Sequence, residues 1–370
     1  MQFKKDDNKL QSKIETCILL SKLSFLRAKE INELLEKFGS IDNILSTPLE
    51  KLLQISKINR RNLELIKEKA PGLSLEDDYK LIKKLGIKLV SFDDPSYPFN
   101  LRNIYDPPFL LYVRGNLKEE DERSVAVVGT RRPTNYGRMA AKRLARELAR
   151  ERITVVSGMA RGIDTAAHEG ALEEGGRTIA VLGCGVDVVY PPENRSLMQQ
   201  IIERGAVISE FPLGTKPLAY NFPQRNRIIS GLSKGVLVVE APLKSGAMIT
   251  VNYALDQGRE VFAVPGMITN PYSRGTNRLI KEGAKVVEDI SDILEELGFP
   301  SLKEDKVPVN LQLSFEEKTV LDKLCFDPVH IDEVAKETRF PVAKVADILM
   351  RLQIKGMVKE LPGKLFIKEG

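Results

Sequence analysis

The stretch "SVAVVGTRRPTNYGRMAAKRLARELARE", residues 124–151, decides the fold. Val125 to Val128 form a continuous apolar run, Gly129 follows, and a strongly periodic helix pattern begins after it. A buried strand, a glycine turn and an amphipathic helix make the opening of a nucleotide-binding α/β fold. The loop departs from the dinucleotide pattern, because Thr130, Arg131 and Arg132 stand where GxGxxG would bring more glycines. The phosphate loop GxxxxGK[ST] occurs nowhere in the chain. The loop therefore offers cations, not bare backbone, to an anion.

The same pattern recurs downstream. Apolar runs at 125–128, 154–156, 178–182, 206–209, 236–240, 260–264 and 285–288 alternate for the most part with helical stretches. That alternation predicts a parallel sheet covered by helices on both faces. Two short strands, 88–92 and 109–113, lie among proline-rich turns and read as an extension of the same domain. Residues 10–70 read as a small SAM-like or helix-hairpin-helix bundle, with helical periodicity at 10–20, 28–38 and 62–69. Thr47-Pro48-Leu49-Glu50 reads as a capped helix start. A DNA-binding hairpin usually has a glycine between its helices and "QISKINRR" has none, so docking or spacing stands beside DNA binding as its role.

After a polar link, "SLKEDKVPVNLQ", helical patterns at 315–324, 331–338 and 342–355 precede the hairpin "MVKELPGKLFIK", which is winged-helix wording. The third of these helices offers Lys344 and Arg351 but also Asp347, so DNA contact, protein contact and a purely structural role all stand. The expected division is 1–70 helical, 71–300 extended Rossmann-like and 301–370 winged helix.

Composition narrows the function little. The 56 basic and 51 acidic residues leave a net charge of +5, so the placement of charge must decide whether a polyanion binds. Cys17, Cys184 and Cys325 show no CxxC spacing and there are only 2 histidines, so neither a disulfide framework nor a zinc or His-rich metal site is expected. A reducing cytoplasm fits that usage. The N-terminal "MQFKKDDNKLQSK" lacks the apolar core of a signal peptide, and no run approaches the length of a membrane span.

The strand ends carry the chemistry. After the first strand, Thr134 or Asn135 can cap a helix whose amides and dipole favour a phosphate, and Arg131 can grip that phosphate in bidentate fashion. "SGMARGIDTAAHEGA" adds Gly158, Arg161 and Gly162, and "VEAPLKSGAMIT" adds Lys244 before Ser245 and Gly246 open another helix. Arg131, Arg132, Arg161, Lys216, Arg225, Arg227, Lys244 and Arg274 all map to one rim of the sheet. Between 211 and 229, Phe211, Tyr220 and Phe222 interleave with Lys216, Arg225 and Arg227, the pairing of stacking rings and phosphate-holding cations that binds single strands. The other reading has Phe211 and Phe222 closing the core beneath the loop. No catalyst stands out: His168, Asp164, Asp187, Glu210 and Glu240 show no acid–base or metal spacing, and Cys184 between two glycines suits a tight turn.

Together "GTR" with Tyr136-Gly137, "SGMARGID", "YPPEN", "NFPQRNRIISGLS", "SGAMIT" and "VFAVPG" resemble, in order, the DNA-processing protein A (DprA/Smf) family over residues 85–290. The resemblance implies a non-enzymatic, cofactor-free homodimer with an extended Rossmann-like domain that binds single-stranded DNA cooperatively. It also implies protection of incoming DNA during natural transformation and loading of the RecA recombinase. The family's phosphate-binding arginine falls on Arg131. Lys216, Arg225 and Arg227 are candidates to complete the groove, and Arg195 is a further one because Pro191-Pro192 stand where some relatives carry a basic residue. The expected DNA-contacting set is Gly129, Thr130, Arg131, Arg132, Arg161, Arg195, Lys216, Phe222, Arg225, Asn226, Arg227, Lys244, Ser245 and Gly246. The competing reading is a nucleotide-binding or nucleotide-processing enzyme of related fold, with a mononucleotide phosphate on the 245–250 turn and Glu240 as its nearest glutamate. A third is an adaptor whose terminal domains do the work.

Overall fold

In a computed structural model, residues 2–23, 25–26, 28–301, 313–324 and 328–368 are described, residues 2–10 and 28 by backbone alone. Cys325 and most of the polar link fall outside these residues.

The strands are β1 (Lys88–Ser91), β2 (Leu110–Gly115), β3 (Ser124–Val128), β4 (Thr154–Ser157), β5 (Thr178–Val181), β6 (Ala206–Ser209), β7 (Gly235–Val238), β8 (Glu260–Ala263) and β9 (Lys285–Val286). They form one nine-stranded sheet in the order β1-β2-β6-β5-β4-β3-β7-β8-β9. From β6 to β9 every pair is parallel, while β1 and β2 join antiparallel at the β6 edge. The chain thus adds strands outward from β3 to β6, then crosses back and builds the other half from β7. This is an extended Rossmann-like sheet, with its topological switch point between β3 and β7.

The apolar runs explain the layers. Successive β3 side chains point to opposite faces. Ala126 and Val128 pack with Ile228, Leu232 and Val251 on one face, and Val125 and Val127 with Leu144, Leu148 and Ile163 on the other. Both faces are therefore buried, and the run reads as continuous rather than alternating.

The N-terminal helices do not close a core of their own. Ile18, Leu34, Leu63 and Ile66 share one with Leu110 and Tyr112 of β2, and Tyr112 is 1% exposed. The capping expected of Thr47 is corrected. Its hydroxyl donates to the Asn43 carbonyl (2.6 Å) at the end of the helix Ile41–Ser46, and Pro48 occupies the cap of Leu49–Ile55 without a side-chain bond. A threonine between two short helices can serve the earlier one equally well.

The helices Phe315–Leu321, Ile331–Thr338 and Val342–Ile354, with the hairpin Val358–Leu361 and Leu365–Lys368, form a winged helix around Val334, Ile348 and Leu352. On its third helix Lys344 pairs with Glu316 and Arg351 with Asp347 (2.8 Å), so both cations sit beside acids.

Candidate nucleic-acid interface at the switch point

The loops after β3 and β7 border a cleft of about 620 Å³, lined by Gly129, Thr130 and Asn226 among others. Arg131, Phe222, Lys244, Ser245 and Gly246 also line it. Arg131 is exposed and lies over the Phe222 ring, 5.0 Å from its centroid. Tyr190 packs against the same ring, with centroids 5.7 Å apart and the planes tilted by 41°. A guanidinium held on an aromatic face keeps its charge and outward donors free for a phosphate.

Sequence reasoning put the phosphate at the start of the helix Asn135–Arg150, and the structure corrects this. Thr134 does cap that helix, its hydroxyl accepting from Gly137 N at 3.1 Å. Glu240, 1% exposed, fills the remaining space, accepting from Thr134 N (2.8 Å), the Thr134 hydroxyl (2.6 Å) and Asn270 Nδ2 (3.4 Å). A Cβ on Gly137 would collide with that carboxylate. The protein's own anion thus sits where an external one was expected, and it is committed inside the fold, not turned to the cleft. The helix Gly246–Asp256 also starts at the cleft, without a side-chain cap. Ser245 makes no cap bond, and its hydroxyl is buried without a partner in the cleft wall.

The other expected cations separate into groups. Arg225 lines the cleft but is only 3% exposed. Its Nη1 donates to the carbonyls of Gly158 (2.7 Å) and Val181, and its Nε to Asn226 (3.2 Å). It clamps the ends of β4 and β5, and burial pushes its pKa down to about 10 against the pull of Asp164. Gly158 is required here because a Cβ would strike that guanidinium. Asn226 bonds the Gly246 carbonyl (3.2 Å) and so ties the two helices that border the cleft. Arg227 is no groove cation: it points inward to Glu210 and Asp106, with the Arg227 and Glu210 side chains 9% and 8% exposed. Arg161 is exposed and paired with Glu193 (3.1 Å), while Arg132 and Arg195 are exposed outside the cleft lining. Lys216 is exposed across a wall from the cleft, in a second hollow.

Two residues absent from the sequence set belong with the cleft. Asp164, 7% exposed, accepts from Gly158 N (3.2 Å) and Ala160 N (3.3 Å), and Arg131 and Arg225 act on its charge. Tyr190 is the other, and its sequence signal was the aromatic just before Pro191-Pro192. His168 is wholly buried, with Nδ1 2.6 Å from the Thr178 hydroxyl, and burial pushes its pKa down to about 3. A histidine kept neutral in the fold but free to protonate when unfolded removes stability as pH falls. Stability should therefore decline from about pH 6.5 toward 3, and His168→Gln should flatten that part of the profile in urea titrations across pH. Cys184 is buried and its thiol is pushed up to about 11, as a turn residue's would be. Among the described residues no group of His, Cys, Asp or Glu is placed to hold a metal.

Sheet and cleft define the class: a Rossmann-like α/β protein whose switch-point loop carries arginines in place of dinucleotide glycines, with an aromatic ring from the helix Asn221–Leu232 beneath Arg131. Comparison with known proteins goes further. Residues 88–298 match the family model for DNA recombination-mediator protein A, and residues 304–364 match that for the DprA winged helix domain. The chain is 41% identical over 301 residues to protein Smf of Escherichia coli K12, covering 79% of this chain and 80% of the relative. It is 46% identical over 225 residues to DNA processing protein DprA of Streptococcus pneumoniae, covering 60% and 79% respectively. The X-ray structure of the DprA from Streptococcus pneumoniae superposes with a TM-score of 0.66 at 38% identity, over 78% of this chain and 97% of that one. DNA processing protein A from Helicobacter pylori, solved for its single-stranded DNA binding mode, gives 0.51 at 34% identity, over 57% and 95%. The chain belongs to the DNA-processing protein A (DprA/Smf) family. The DprA relatives are named for DNA processing and not for a catalysed reaction.

Proposed function

We propose that this chain binds single-stranded DNA along the switch-point cleft, without chemistry. The observation that carries this reading is the exposed Arg131 guanidinium over the Phe222 ring, in a cleft that Lys244 and the uncapped helix start at Ser245 and Gly246 also line. Phosphates meet Arg131, Lys244 and the open helix start, and a base stacks beside Phe222. Every base has a flat face, so sequence preference is low. The single-stranded DNA binding of the Helicobacter pylori relative supports the same assignment.

Affinity then depends on counterion release. The log–log salt dependence for oligo-dT should have a slope of about −0.7 for each phosphate neutralised. Fluorescence anisotropy of the full chain across a salt series reads this. A slope near zero, or a mononucleotide binding as tightly as the strand, overturns the proposal.

The finer part of the proposal follows the family: a cytoplasmic homodimer that protects incoming single strands in natural transformation and loads the RecA recombinase onto them. Sedimentation at twice 41.4 kDa and faster RecA assembly on strands already coated by this chain are the expected results. A monomer, or unaltered RecA assembly, removes this part alone. No helix among the described residues is long and apolar enough to cross a membrane.

A further inference from the structure

The wall between the two hollows is the segment just before the helix Asn221–Leu232. Its side chains divide by alternation: Pro217 and Ala219 line the switch-point cleft, whereas Lys216, Leu218 and Tyr220 line the hollow on the other side. At the helix start the aromatic rings also divide, Phe222 to the first cleft and Tyr220 to the second. The second hollow has a volume of about 560 Å³, and its far wall is N-terminal: Ser21, Leu26, Ile31 and Asn32. That wall is fixed in place. Asn32 Nδ2 donates to the Pro107 carbonyl (2.9 Å), and the N-terminal helices share their core with β2.

We infer that the second hollow is a further nucleobase site, so that a single strand crosses the ridge at 216–220 and the N-terminal helices complete the DNA-binding surface. This rests on the single-strand reading of the first cleft and extends it. Tyr220 is 60% exposed and Leu218 41%, so both are open to a base entering the hollow. Tyr220 offers a stacking face at the lip, and Lys216 stands exposed on the same ridge for the intervening phosphate. Glu210 also lines this hollow, but Arg227 holds its carboxylate in a buried pair, so it does not present an uncompensated negative charge to the strand. The ridge between the hollows is held in place by Asn221, whose Nδ2 donates to the Gly183 carbonyl (3.0 Å) and to the Lys216 carbonyl (3.4 Å).

The test compares a short oligo-dT of about 5 nucleotides, enough for one cleft, with a long one of about 20. Loss of the Tyr220 ring should reduce the affinity advantage of the long strand about tenfold in Tyr220→Ala, while Tyr220→Phe keeps it. A Leu218→Cys variant gives a second readout, maleimide labelling at residue 218 followed by peptide mass spectrometry. The long strand should protect that thiol and the short one should not. An unchanged long-strand advantage in Tyr220→Ala, or no protection at residue 218, overturns the inference. Arg131→Ala separates the two failures: if it weakens both oligonucleotides while the Tyr220 and Leu218 results are negative, only the second site is wrong.

Discussion

Arg131→Ala is expected to weaken single-strand binding about 30-fold, equivalent to about 2 kcal/mol, while leaving the fold intact. The side chain is exposed and its visible partner is the Phe222 face, so the folded state loses little when it is cut back. In the complex the loss is larger, because a charge-assisted bond to phosphate and one neutralised charge go together. The salt slope should fall by about 0.7 in the same variant. Arg131→Lys keeps the charge but not the planar fork that lies on the ring, so it should fall between the two. Anisotropy titration with oligo-dT checks all three, and unchanged affinity in Arg131→Ala would remove Arg131 from the site.

The largest effect on stability is expected at Arg227, one of the residues that charge counting placed in the groove. Arg227→Ala leaves the Glu210 carboxylate buried without its partner, and breaking such a pair is destabilising by about 3–5 kcal/mol. Burial already raises the Glu210 pKa, and the Arg227 charge is the chief influence opposing that rise. Replacing both residues with leucine should recover most of the loss, since a well-packed apolar pair often matches a buried ion pair. Urea unfolding of the three variants measures this. A shift in Arg227→Ala no larger than that of an exposed arginine would show that the pair is not closed in solution.

These two arginines mark what the sequence could and could not disclose. The strands were legible because a sheet buried on both faces demands unbroken apolar runs, and 125–128 is one. Gly129 and Arg131 were legible because the loop after such a strand is where the fold presents its ligand groups. Burial of a charge was not. "QRNR" reads as a basic cluster, yet Arg225 closes onto the ends of β4 and β5 and Arg227 onto Glu210, which precedes it by 17 residues and is brought near by the fold. Glu240 shows the same limit. Two residues beyond β7, it was the nearest glutamate for the enzyme reading, but the parallel β3–β7 pairing carries it to Thr134, 106 residues away in sequence. The hollow between the N-terminal helices and the 210–220 segment is likewise a property of docking. The periodicity of residues 10–70 indicates helices, not that they finish their core on Tyr112.

The proposed path takes a single strand through the switch-point cleft. Photo-crosslinking of a 4-thiothymidine oligonucleotide to the full chain, with peptide mapping, tests it most directly. The predicted result is a crosslink at Phe222 or its immediate neighbours, lost in Arg131→Ala and displaced by unlabelled strand but not by thymidine monophosphate. A crosslink confined to the winged helix, or one displaced equally well by the mononucleotide, would contradict the account.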